Sequence, residues 1–133
     1  MIRPRHPKSA IAPRHPATLT SLNNLAALYQ AQGRYAEAEP LLQQAVSASR
    51  EVLGPRHPAT LTSLNNLATL YQAQGRYAEA EPLLQQVLSA SREVLGARHP
   101  DTVATIQALA SLYRAEGRNA EAESLLKDGN PPK

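Results

Sequence analysis

The 133-residue chain contains no cysteine, no tryptophan, no phenylalanine and a single methionine. Without cysteine there can be no disulfide, no thiolate nucleophile and no thiolate metal ligand, and the redox compartment stays open. Five tyrosines are the only aromatic residues, so a core must be built mainly from Leu, Ala and Val, which suits close-packed helices. No stretch approaches the roughly 18 apolar residues of a membrane span. Met1 to Pro7 is polar and broken by proline, with no apolar run behind it. The expectation is a soluble, unexported, cytoplasmic chain. One sign of charge also lacks weight: of the net +3, Arg3, Arg5, Lys8 and Arg14 supply four positives with no acid before residue 15, leaving 10 basic and 11 acidic residues elsewhere. A nearly neutral body gives no electrostatic case for nucleic acid or membrane as partner.

What the chain does have is repetition. Arg-His-Pro recurs at His15, His57 and His99, at intervals of 42 residues. Residues 13–54 and 55–96 differ only at Ala27 against Thr69, Ala45 against Val87 and Val46 against Leu88, whereas residues 97–126 match the second copy at 17 of 30 positions. Repetition at this period means a stack of supersecondary units.

Within a unit, Leu61, Leu64, Leu67, Ala68 and Tyr71 recur at intervals of three and four, one stripe of an α-helix. Pro58 suits the first turn and Gly75 the left-handed residue after the last, predicting helix A over roughly Pro58 to Gln74. Tyr77, Ala80, Leu84, Val87, Leu88, Ser91, Val94 and Leu95 predict helix B over roughly Tyr77 to Leu95. Pro82 lies about one turn inside helix B, where it deletes a backbone bond; the unbroken stripe favours a continuous, gently kinked helix. Each unit is then an antiparallel hairpin with a tight Gly75-Arg76 turn. Neither hairpin face can be buried alone, so neighbouring units must stack.

The chain resembles a tetratricopeptide-repeat array in the 42-residue form of kinesin light chains. The resemblance spans about residues 13 to 128 and rests on Leu64, Leu67, Ala68, Tyr71, Gly75, Tyr77, Ala80, Leu84 and Val87 within LNNLATLYQAQGRYAEAEPLLQQ. It departs from the form of about 34 residues, having Arg92 where that form ends with proline and Ala68 where it has glycine. The implied architecture is all-α, a right-handed solenoid of about six helices in repeats 13–54, 55–96 and 97–128. The third repeat is truncated, because Lys127-Asp128-Gly129-Asn130-Pro131-Pro132 breaks its second helix. Residues 1–12 are expected to form a flexible basic tail and 129–133 a disordered one.

Chemistry-bearing constellations are weak. All four histidines, His6, His15, His57 and His99, precede proline; three are a whole repeat apart, so they suit the turn into helix A rather than a metal. Ser63, Ser89 and Ser91 fall on helices away from the histidines, and Glu79 and Glu81, two residues apart, point in different directions. Gly33, Gly75 and Gly117 are helix ends, not a phosphate loop. Neither catalysis nor a cofactor is expected.

The resemblance implies a protein-interaction scaffold in which helix A lines a concave face, and an asparagine placed like Asn24 and Asn66 holds the backbone of an extended peptide. A carboxamide offers donor and acceptor together, matching a peptide group. The candidate contact set is Asn23, Asn24 and Gln30, then Asn65, Asn66, Thr69 and Gln72, then Gln107 and Arg114. The asparagines read equally as packing or solubility residues, and Gln107-Ala108 interrupts the ladder in the third repeat. A competing reading is self-association through exposed ends, head to tail or by exchange of helices, or a fragment of a longer array; near-identical units make such heterologous contacts natural.

Overall fold

A computed structural model describes residues 16–128; the expected tails at 1–12 and 129–133, with His6 and His15, lie outside the described residues. Six helices follow one another: α1 (Pro16–Ala31), α2 (Tyr35–Val52), α3 (Pro58–Ala73), α4 (Tyr77–Val94), α5 (Pro100–Ala115) and α6 (Asn119–Asp128), with no strand among the described residues. The chain divides into two compact units, Met1–Asn66 and Leu67–Lys133, and the division falls inside α3. In the first, α1 packs on α2, and the start of α3 adds Thr60, Leu61, Ser63 and Leu64 to the buried residues. In the second, α4 packs on α5 and α5 on α6.

The stripe predicted for helix A is buried throughout, with Leu61, Leu64, Leu67, Ala68 and Tyr71 at most 7% exposed. On helix B it holds for Ala80, Leu84, Val87, Leu88 and Ser91 but not for Val94, which is 47% exposed, as is its counterpart Val52 at 45%. Both valines close their helices, so the apolar stripe ends one turn sooner than its spacing suggests. Helix α4 runs unbroken through Pro82, and α2 through Pro40. Both prolines are exposed, so the ring meets water rather than a packed neighbour.

The turn between helices is the same in every hairpin. At its centre Gly75 has φ +75°, and its N–H donates to the Gln72 carbonyl at 3.0 Å, while the Arg76 N–H donates to the Tyr71 carbonyl at 2.8 Å. These are the two bonds of a Schellman end, which close orphan carbonyls of helix A. Gly33 and Gly117 repeat both bonds. The hydrophobic contact that usually accompanies this motif is replaced by a cation–π contact, Arg76 lying 4.4 Å from the centre of the Tyr71 ring. Arg34 over Tyr29 and Arg118 over Tyr113 do the same at 4.5 and 4.3 Å. Each arginine then grips the glutamate three residues on: Arg76 Nε donates to Glu79 Oε1 at 2.7 Å, with Arg34 to Glu37 and Arg118 to Glu121 matching it. One guanidinium thus stacks on the end of one helix and neutralises an acid in the first turn of the next.

The opposite turn, from helix B back to helix A, is capped by histidine. His57 Nδ1 accepts the Ala59 N–H at 3.0 Å and His99 Nδ1 the Asp101 N–H at 3.1 Å, the job an Asn or Asp does at an N-cap. Thr60 Oγ1 donates to the Gly54 carbonyl at 2.7 Å and closes that turn from inside.

Three outcomes follow from these local arrangements. A Cβ at Gly75 would meet nothing within 4 Å, so Gly75→Ala carries only backbone strain and lowers stability by about 1–2 kcal/mol in thermal or urea unfolding. Pro82→Ser, which installs the residue the third repeat has at Ser124, restores a helix N–H and stabilises the chain by about 1–2 kcal/mol in the same assay. The carboxyls of Glu37, Glu79 and Glu121 are held below their ordinary value by the hydrogen bond from the arginine of their own turn. A depressed folded-state value contributes stability above the unfolded value and loses it as pH falls through the folded one. The melting temperature therefore drops on acidification below about pH 4.5, and Glu79→Gln makes that drop smaller.

Candidate binding surfaces

In the unit Met1–Asn66 the asparagines form a relay rather than an open pair. Asn66 Nδ2 donates to Asn23 Oδ1 at 3.4 Å, and Asn23 Nδ2 donates to Ser63 Oγ at 3.3 Å, so both ends of the Asn23 carboxamide are occupied within the unit. Asn23, Asn65 and Asn66 are half-buried, while Asn24 is exposed. Thr20, Asn24, Ala27 and Ala31, at helical spacing along α1, are all exposed; Gln30 beside them is half-buried. Next to the relay lies a pocket of about 340 Å³ lined by Leu19, Thr20, Asn23, Ser49, Leu53, His57 and Ala59. Leu19 and Leu53 make much of its wall apolar, and Ser49, which also lines it, has a buried Oγ without a hydrogen-bond partner.

In the unit Leu67–Lys133, Thr69, Gln107 and Arg114 are exposed and Gln72 is half-buried. Arg114 is drawn to the far end of α5, where it lines an open cleft of about 760 Å³ with Ala120, Glu123, Ser124, Leu126 and Lys127 of α6. That cleft belongs to the last hairpin, and spacing along helix A alone gave no sign of it.

The tyrosine–arginine–glutamate contacts also escaped the sequence reading. Their signal was present: Tyr, then Arg five residues on, then Glu three further, in all three repeats, the divergent one included. Around Arg118 the arrangement is densest. Its Nη1 meets Glu81 Oε1 at 2.6 Å and Glu116 Oε1 at 3.0 Å, in addition to the Glu121 pair, and these carboxylates raise the guanidinium pKa further, Glu121 most of all. Tyr113, buried beneath it, has its hydroxyl pushed above its ordinary value by burial, and accepts from Gln85 Nε2 at 3.3 Å.

Among the described residues no group of three His, Asp or Glu side chains converges, and no helix is long and apolar enough to cross a membrane.

A family model for the tetratricopeptide repeat matches residues 17–93 and, in a second overlapping placement, residues 64–129. No curated protein matches the chain. Among solved structures, it is similar to a candidate kinesin light chain from Podosopora anserina with nearly identical TPR-like repeats, at 40% identity and a TM-score of 0.81 over 86% of this chain and 55% of that one. A glutamine-to-methionine variant of the same protein superposes with a TM-score of 0.83 at 36% identity, covering 91% of this chain and 57% of the other. BtubC (BKLC) from P. vanneervenii shares the fold, with a TM-score of 0.81 at 20% identity over 87% of this chain and 46% of its own. The chain spans about half the length of these proteins. Repeats of this kind generally mediate protein–protein interaction. With matches reaching from residue 17 to residue 129 and a 40% identical neighbour described as a kinesin light chain with nearly identical TPR-like repeats, the chain belongs to the tetratricopeptide-repeat family, in its kinesin-light-chain-like form.

Proposed function

We propose that the chain is a protein-interaction scaffold that holds an extended peptide on the helix-A face, with the unit Met1–Asn66 as the main patch. The observation that carries this reading is the relay from Asn66 through Asn23 to Ser63. It fixes the carboxamides in place beforehand, so little side-chain freedom is lost when a ligand arrives. Asn23 acts here as the positioning residue. Asn24 is the exposed carboxamide, and Asn66, with Nδ2 committed to Asn23, offers its carbonyl oxygen as an acceptor. The neighbouring pocket at Ser49 takes one side chain of the peptide, which adds a first element of sequence preference to an otherwise backbone-reading surface.

Within the unit Leu67–Lys133, Thr69, Gln72, Gln107 and Arg114 form a separate and weaker patch, since Ala108 stands where the first two repeats have Asn24 and Asn66. The partner is a protein or peptide.

A peptide selected from a random library on the full chain supplies the probe, and calorimetry supplies the affinity. Asn24→Ala and Asn66→Ala each weaken binding by about 1 kcal/mol, roughly fivefold, with helicity unchanged. Methylating the peptide nitrogens weakens it similarly. Affinity indifferent to both changes would remove the asparagines from the binding account.

A further inference from the structure

The internal junction between the second and third repeats can be read within the unit Leu67–Lys133, where α4 packs on α5. Leu109 and Leu112 of α5 are fully buried in this unit, and Leu84 of α4 is 1% exposed. Two polar contacts register the junction: Glu81 with Arg118 Nη1 at 2.6 Å and Gln85 with the Tyr113 hydroxyl at 3.3 Å. The residues one or two repeats away fill the same places in the sequence.

At the α1 end, Leu25 and Leu28 stand where α5 has Leu109 and Leu112, yet they are 40% and 55% exposed. Tyr29 and Arg34 stand where the junction has Tyr113 and Arg118. At the α6 end, Leu126 stands where α4 has Leu84 and is 43% exposed; Glu123 and Lys127 stand for Glu81 and Gln85 and are exposed too. The cleft formed there with Arg114 is open. Val52 and Val94 are exposed alike in successive repeats and so mark no end. The α1 end thus carries one half of an internal junction, and the α6 end carries the other, with leucines uncovered on both.

We propose that these two halves join between copies of this chain, the α1 face of one molecule seating on the α6 face of another. Leu25 and Leu28 cover Leu126, the Arg34 guanidinium meets Glu123 as Arg118 meets Glu81, and the Lys127 ammonium donates to the Tyr29 hydroxyl in place of Gln85. The charges are complementary at the central pair, which sets register. Because the two surfaces differ, the contact is heterologous, and association continues past two copies. Helix α6 has 10 residues where α4 has 18, so the seam is shorter than the internal one and assembly is weak and reversible.

The test follows the apparent mass of the 133-residue chain by sedimentation equilibrium from micromolar to millimolar concentration. It compares Leu28→Lys, Leu126→Lys and an equimolar mixture of the two; both positions are exposed, and unchanged circular dichroism verifies the fold. The expected result is a wild-type mass that rises past that of two copies, each variant monomeric alone, and a mixture that stops at two, since only one good face remains on each molecule. A wild-type chain that stays monomeric throughout overturns the proposal. So does a mass that levels at two for the wild type, or association that persists in either variant alone.

Discussion

The left-handed glycine at the tip of each hairpin is the constraint on which the other features depend. Only a residue without Cβ holds φ near +75° without strain, and only that conformation delivers the two backbone bonds that end helix A while turning the chain into helix B. The arginine after it is then fixed between the tyrosine ring of one helix and the glutamate of the next. This explains why the third repeat, which keeps 17 of 30 residues, retains Tyr113, Gly117, Arg118 and Glu121. Drift is absorbed where geometry is not set. Ser124 replaces proline on an exposed face, and Asn119 replaces a tyrosine at the start of the helix.

Exposed ion pairs of this kind add little to stability by themselves, because solvent screens them. Their contribution is angular. Buried leucine supplies most of the energy, about 1.5–3 kcal/mol per side chain removed from water, but leucine is indifferent to direction. A repeat protein needs the same angle at every hairpin, because an error repeats with the unit. Stacked guanidinium and Schellman bonds impose that angle where apolar packing alone would allow several. Around Arg118 the device also reaches across a junction to Glu81, so the contact that shapes a hairpin registers its neighbour.

Element boundaries were legible almost to the residue because proline, glycine and a three-four stripe all spoke together: helix A ends at Ala73 against a reading of Gln74, helix B at Val94 against Leu95. Continuity through Pro82 was legible for the same reason. The exposure of Val94 was not, since periodicity states which way a side chain faces and not whether anything lies opposite. The same limit applies to Leu25 and Leu28. Their sequence context matches that of Leu67 and Leu70 but for Ala27 against Thr69, yet Leu67 and Leu70 are buried at 5% and 0%, so the three-dimensional arrangement is what separates the two pairs. The asparagines show a third kind of gap. Their spacing put them on helix A, but the bond from Asn66 to Asn23 bridges 43 residues and depends on how two helices approach.

Near-identity of repeats also limits how a ligand could tell one repeat from the next. Two of the three differences between the first copies are internal: Ala45 and Val87 are buried, as are Val46 and Leu88. Both changes enlarge the second core, so they alter packing without altering what a ligand meets. The remaining difference, Ala27 against Thr69, is exposed in both repeats and lies three residues beyond Asn24 and Asn66, on the same helical face. A methyl group there offers nothing to hydrogen-bond, whereas a threonine hydroxyl offers a donor and an acceptor. On the proposed binding face the two near-copies therefore differ in sequence at this one position. Any stronger preference has to arise from the divergent third repeat or from what each repeat has beside it.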